Sequence, residues 1–233
     1  MTAEVERVVV VIPARNEEET LAACLTSVQR ASDHIQIAVT VVLVLDSCTD
    51  RSAEIAASFA DVVVLAGEFS NVGLARASGF SAALASCTED PKAVWLASTD
   101  ADSVVPSRWL AEHLRAAGEG ADVYVGAVVP VLHDLDAERR RAWLHTHPPG
   151  ATLGHVHGAN LGMRGSAYRA AGGFMGLAIG EDVELVARMR GLGVRFAESE
   201  AHPVVTSSRL AGRARGGYAN YLTGLTPSLA SSN

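Results

Sequence analysis

Four apolar runs punctuate the first hundred residues: RVVVVI (Arg7–Ile12), AVTVVLVL (Ala38–Leu45), DVVVLA (residues 61–66) and AVWLAS (Ala93–Ser98). A run with no polar alternate has no face for water, so each reads as a strand buried on both sides. Between the first two, Leu21, Cys24, Leu25 and Val28 recur at helical spacing within Glu18–Ala31. Ser52–Phe59 and Val72–Ser86 read as two further helices. Strand–helix alternation of this kind predicts an α/β fold, a Rossmann-like, mostly parallel sheet with helices on both faces. A fifth strand is expected at Asp122–Val129, followed by a short charged helix and a His-, Gly- and Pro-rich loop. A helix at Asp182–Gly191 and strand-like pieces at Val194–Ala197 and Val204–Thr206 come next. The Gly/Ser/Ala-rich segment from Gly212 onward reads as a tail. No repeat or linker interrupts the pattern, so a single domain is expected.

Composition narrows the function classes. Nothing approaches the roughly 20 apolar residues of a membrane helix, and the first residues lack the pattern of a signal peptide. The three cysteines, Cys24, Cys48 and Cys87, are odd in number and far apart. That spacing favours a reducing, cytoplasmic setting over disulfides or structural zinc. A formal net charge of −7 argues against nucleic acid as a partner. Lys92 is the one lysine.

In parallel sheets, ligands sit beyond the carboxyl ends of the strands. Those ends read PARNEE, DSCTD and STDAD. Neither a dinucleotide fingerprint nor a P-loop is present. Arg15, Asn16 and Glu17 are polar enough to grip a base or ribose; equally, Asn16 is a candidate N-cap with acids in the first helical turn. Asp50 suits the N-cap of the next helix. Asp46, at a strand tip, suits the N–H of a pyrimidine or guanine. Gly73 stands at a helix start that attracts anions, with Arg76 one turn on, able to reach a diphosphate or to lie in solvent. Asp100 and Asp102 are one residue apart, on the same side of extended backbone. Two such carboxylates call for a cation between them, and a hard divalent ion is the natural one.

Taken together, VVVVIPARNEEETLAACLTSV, VLDSCTD, GLARASG, TDADS, GANLGMRGSAYRAAGGF and GEDVELVARM resemble, in order and spacing, family 2 glycosyltransferases of the GT-A fold. The resemblance spans about Val8 to Arg215. It implies a soluble, non-processive hexosyltransferase with residues 1–217 as one domain. Residues 1–106 would bind nucleotide sugar, residues 107–217 the acceptor, and residues 218–233 would form the C-terminal tail. Pro13, Ala14, Arg15, Glu17, Asp46, Arg76, Asp100, Ala101 and Asp102 are implied to line the nucleotide-sugar site. Asp100 and Asp102 match the DxD motif and its Mn²⁺ or Mg²⁺. Asp182 matches the base of inverting members, although acids at a helix start are also favoured by the helix dipole. Gly158, Ala159, Asn160, Glu181, Arg209 and Arg213 are implied around the acceptor or donor sugar, while Arg164 and Gly172–Phe174 read equally as scaffold.

The sequence departs from the family where many members carry a metal-reaching histidine. HPVVTSSRL offers Thr206 or Ser207 there, with His202 earlier, so no third metal ligand is assigned. The processive Q-x-x-R-W is absent, which favours single sugar transfer from a UDP-sugar or a GDP-sugar. Two H-x-H pairs, His145/His147 and His155/His157, suit acceptor contacts or plain surface better than zinc, as no cysteine accompanies them. The acceptor is unidentified, and peripheral membrane contact is compatible with the sequence. Two rival enzymes share fragments of the pattern. IPAR resembles the start of sugar nucleotidyltransferases, but the acidic NEEET that follows suits a triphosphate poorly. DADSVV resembles the motif of haloacid-dehalogenase-type phosphatases, with Asp100 as nucleophile, but no lysine follows Lys92. A nucleotide-sugar-binding protein without turnover is the non-enzyme alternative.

Overall fold

The computed structural model describes residues 3–212 and 217–225. In chain order the elements are β1 (Arg7–Ala14), α1 (Leu21–Ser32), β2 (Ala38–Asp46), α2 (Ser52–Ala57), β3 (Val62–Gly67), α3 (Val72–Ser86), β4 (Val94–Ser98) and β5 (Ser103–Val104). The second half adds α4 (Trp109–Gly118), β6 (Val123–Pro130), α5 (Ala137–Thr146), β7 (Leu161–Arg164), α6 (Gly165–Ala170), α7 (Glu181–Gly191), β8 (Phe196–Thr206) and α8 (Tyr218–Gly224). A 3₁₀ turn at Gly158–Asn160 leads into β7.

The strands form one sheet in the order β3-β2-β1-β4-β7-β6-β8-β5. β3, β2, β1 and β4 run parallel, as their unbroken apolar sequences demand. β7 runs antiparallel between β4 and β6, and β6 and β8 are parallel to each other. Alternation along β1 divides the core in two. Val8, Val10 and Ile12 pack with Leu21, Leu25 and Leu110 on one face. Val9 and Val11 pack with Ala75, Phe80 and Leu185 on the other. Gly79 lets α3 approach that second face, since a Cβ there would meet Val11 Cγ1 at 2.6 Å and Val44 Cγ2 at 2.9 Å.

Differences from the sequence reading have local causes. Helix α1 begins at Leu21 with Thr20 as N-cap, not at Asn16. Asn16 instead has a φ of +55°, and its Oδ1 accepts from the Thr49 N–H at 2.7 Å, stitching the β1 loop to the β2 loop. The two strand pieces near residues 194–206 are one strand, β8, whose pairing with β6 shifts register between Gly126 and Val128. The segment read as a tail contains α8, which buries Leu222 against Leu135 and Trp143. Among the described residues, no helix is long and apolar enough to cross a membrane.

A buried polar network fixes the turn before β7. The Trp95 indole N–H donates to His113 Nδ1 (3.2 Å), so the neutral imidazole carries its proton on Nε2 and donates to Asn160 Oδ1 (3.3 Å). That same oxygen accepts from Trp109 Nε1 (2.9 Å), and Asn160 Nδ2 donates to the Ala127 carbonyl (2.8 Å). Burial pushes the His113 pKa down to about 4, against a smaller upward pull from its Asn160 hydrogen bond. The unfolded chain therefore binds more protons than the native one between pH 4 and about 6.5. Stability held above that window is lost as pH falls through it, by on the order of 3 kcal/mol. Urea unfolding at pH 7 and pH 4.5 will show a smaller pH dependence in His113→Gln than in wild type; equal dependence would contradict this account.

Candidate active site

The loops after β1, β2, β3 and β4 open into one cavity of about 970 Å³. Its wall holds Pro13, Ala14, Arg15 and Glu17 from the first loop, Asp46 from the second and Arg76 from α3. Asp100, Ala101 and Asp102 follow β4, Gly158 and Ala159 come from the 3₁₀ turn, Glu181 and Asp182 open α7, and Arg209 follows β8. Segments far apart in sequence thus converge, and the acids among them need counter-charge.

Two arginines supply it. Arg76 is buried; its Nη2 lies 2.5 Å from Asp100 Oδ1, its Nη1 pairs with Glu181 Oε1, and its Nε donates to Ser98 Oγ at 3.1 Å. Arg209 places Nη1 2.9 Å from Glu17 Oε2 and Nη2 2.9 Å from Asp102 Oδ2. Asp100 and Asp102 therefore face separate guanidinium groups. They also sit in a turn closed by the Ser103 N–H to the Asp100 carbonyl (3.0 Å), not on the extended backbone that their spacing suggests. Burial, and then the charge of Asp100, push the Asp102 carboxyl up to about 6, with Arg209 opposing. Burial also raises the Glu181 carboxyl, against Arg76.

Asp182 is placed by main chain. Its Oδ2 accepts from the Gly158 N–H at 2.7 Å and its Oδ1 from the Val183 N–H at 2.8 Å. Gly158 has no room for a side chain, because a Cβ would run into the Arg76 guanidinium. His157 stands beside it; burial lowers its pKa, while the charge of Asp182 raises it.

Several candidate residues have other duties here. Asp46 does not stand free at its strand tip: Oδ1 accepts from the N–H groups of Phe69 (2.7 Å) and Ser70 (2.8 Å), and Oδ2 from that of Asn71 (3.0 Å). It organises the β3–α3 loop as well as lining the cavity. Asn160 does not reach the cavity, since its amide is spent in the buried network below the turn. The start of α3 is no open anion site: Asn71 caps it, and Gly73 lies against the Met175 carbonyl and Glu181. Arg76 is correspondingly neither solvated nor reaching outward. The N-cap of α2 is Arg51, not Asp50; Asp50, one residue earlier, accepts from the Ser52 N–H (3.0 Å) and from the Glu18 N–H (2.9 Å), tying the β2 loop to the β1 loop. Arg164 is scaffold, donating to the carbonyls of Ala3, Lys92 and Ala117. Arg213 lies outside the described residues.

The His-rich loop is tied down by Glu200, which accepts from the Gly150 and Thr152 N–H groups at 2.7 and 2.8 Å. His147, His155 and His157 line the cavity together with Tyr218 and Tyr221 of α8. The tyrosines escaped the sequence reading; their i, i+3 spacing was the available signal.

The donor set suits a hard divalent ion. Asp100 and Asp102 offer carboxylate oxygens, while the nearby Cys24 thiol donates to the Asp100 carbonyl (3.3 Å) and is held protonated by burial. Among the described residues no group of three or more His, Cys, Asp or Glu side chains could hold a metal. Two carboxylates with substrate phosphates are nonetheless a normal complement for Mg²⁺.

A parallel half-sheet continued by an antiparallel strand, with acids from both halves around one cavity, is the arrangement of the GT-A glycosyltransferases. The chain belongs to glycosyl transferase family 2, whose sequence model matches residues 9–173. No curated protein matches the chain. Among solved structures, TarS residues 1–349 of S. aureus in complex with UDP-GlcNAc superposes with a TM-score of 0.67 at 14% identity, covering 91% of this chain and 61% of that one. The mannosyltransferase PcManGT of Pyrobaculum calidifontis, in complex with GDP-Man and Mn²⁺, gives 0.59 at 22% identity, covering 88% and 57%. The chain thus spans about three fifths of the length of these structures, and the likeness is one of fold. Neither rival enzyme gains support. Asp100 stands in a turn after the fourth strand, not on the early strand where such phosphatases carry the motif, and is paired with a buried arginine.

Proposed function

We propose that the protein transfers a single hexose from a nucleoside-diphosphate sugar to an acceptor hydroxyl, with inversion. The observation that carries this reading is Arg76. It joins Asp100, in the proposed donor site, to Glu181, the neighbour of Asp182, so that leaving-group and base chemistry share one cavity. In this reading residues 1–106 form the donor half, residues 107–217 the acceptor half, and α8 belongs with the latter.

Pro13, Ala14, Arg15 and Asp46 line the nucleoside end, with the Asp46-held loop shaping the base pocket. Asp100 and Asp102 would hold Mn²⁺ or Mg²⁺. That ion supplies Lewis-acid stabilisation of the diphosphate as the glycosidic bond breaks. The PcManGT complex with GDP-Man and Mn²⁺ and the TarS complex with UDP-GlcNAc support this choice of donor class and ion for a chain of the same fold. Arg209, paired with Glu17 and Asp102, is a cation in the cavity that would meet the diphosphate's charge. Gly158 and Ala159 line the cavity where the donor sugar would lie.

On the acceptor side, Asp182 accepts the proton of the attacking hydroxyl. Its two main-chain hydrogen bonds fix the carboxylate, so the proton moves to an atom already in position. The hydroxyl oxygen then bonds to the anomeric carbon from the side opposite the departing diphosphate.

A thermal-shift panel of UDP, GDP, CDP and ADP, each with and without Mn²⁺, tests the donor site. One nucleotide at ~100 times its dissociation constant should add about 2.7 kcal/mol in the presence of metal. Asp102→Ala should abolish that shift. A shift independent of Mn²⁺ and unchanged in the variant would contradict the metal assignment, and no shift with any nucleotide would contradict the donor site.

A further inference from the structure

We infer that the acceptor carries its reactive hydroxyl on an apolar body, not on a fully hydroxylated saccharide. The inference rests on the transferase reading and deepens it by naming the acceptor class. Two apolar surfaces adjoin Asp182 within the cavity. One is aliphatic. Val183 follows Asp182 directly, and Leu177 and Ile179 precede it on the loop entering α7; Ile179 is 56% exposed and Val183 54%. The other is aromatic. The Tyr218 ring stands edge-on to His157 at 5.8 Å, and His157 precedes the Gly158 whose N–H binds Asp182. Tyr221 lies 5.7 Å from Tyr218 and 5.9 Å from the His147 ring, extending that surface along the wall.

Along these two surfaces the polar atoms of Tyr218, Tyr221 and His147 are engaged internally, which leaves the His155 and His157 rings as the other polar groups lining this end of the cavity. The Tyr218 hydroxyl accepts from Trp143 Nε1 at 3.2 Å, and the Tyr221 hydroxyl lies 3.3 Å from His147 Nε2. His147 Nδ1 is engaged by the Trp143 carbonyl at 2.9 Å. The acceptor would therefore meet ring faces and branched aliphatics beside the base. A pyranoside would bring hydroxyls on every carbon that must shed water there without equivalent partners, which costs affinity. An apolar body gains from the same burial, and fully covering one exposed Ile or Val raises affinity roughly tenfold. At about 970 Å³ the cavity is at the upper end for a single ligand, leaving room beside a donor.

Two sources share this chemistry, an aryl alcohol and an alkyl alcohol, and one assay separates them. The donor that binds is incubated with Mn²⁺, the protein and equal concentrations of 2-phenylethanol, 1-octanol and methyl β-D-glucopyranoside. Glycosides are quantified by mass spectrometry. The expected result is at least tenfold more product from one of the alcohols than from the pyranoside. Ile179→Ser and Val183→Ser should each raise the KM for that alcohol about tenfold, with a smaller change in the donor KM, and Ile179→Leu should restore it. Both side chains are more than half exposed, so loss of folding does not explain such a change. Equal or better transfer to the pyranoside overturns the inference, as does donor binding without transfer to either alcohol. Absence of donor binding overturns the transferase reading beneath it.

Discussion

Asp182→Asn will lower kcat by about 10²–10⁴-fold, the usual worth of a positioned general base. The amide oxygen can still accept from the Gly158 N–H, which holds the turn beneath the cavity, while the bond from the Val183 N–H at the helix start is lost. The donor KM should therefore change little, and the loss should fall on the chemical step. Steady-state kinetics that vary donor and acceptor separately will make the distinction. A variant with kcat within threefold of wild type would remove Asp182 from the proposed chemistry and leave it as a helix-start acid.

Arg76→Met will have the largest effect on stability. The Arg76 side chain is almost wholly buried and faces Asp100 and Glu181. Removing one partner from a buried ionic cluster leaves the others uncompensated and typically costs about 3–5 kcal/mol. Part of that loss follows from Glu181, which is itself buried. Adding Glu181→Gln to Arg76→Met should recover some stability, because one stranded charge disappears. Denaturant unfolding of the single and double variants gives both numbers. A single variant within 1 kcal/mol of wild type would show that Arg76 is not the link between the two halves of the cavity.

Much of this design was legible in the chain. Unbroken apolar runs have one comfortable environment, so β1, β2 and β4 were readable from their residues alone. The matching α3 boundaries follow from Asn71, an N-cap whose side chain accepts from the Leu74 N–H at 2.9 Å. The strand-end acids were legible because parallel sheets present such loops together. Partner choice was not. Nothing in the spacing of Asp100 and Asp102 announces that each finds its own arginine, one from α3 and one from beyond β8. Asn160 was misread because its neighbours Gly158 and Ala159 do line the cavity, while its own side chain turns inward to Trp109 and Ala127. A 3₁₀ turn divides adjacent residues between cavity and core. β5 has two residues, too few for a periodic signal, and α8 lies in a Gly- and Ser-rich stretch whose composition hides two cavity-lining tyrosines.

The central claim is that one cavity both holds a nucleoside-diphosphate sugar and breaks its glycosidic bond. Release of nucleoside diphosphate from UDP-glucose, UDP-GlcNAc and GDP-mannose, measured with Mn²⁺, the alcohol acceptors and wild type beside Asp182→Asn and Asp102→Ala, tests it most directly. The account predicts release from at least one donor by wild type, stopped by chelation and strongly reduced in both variants. Release from no donor, or undiminished release in both variants, would contradict it.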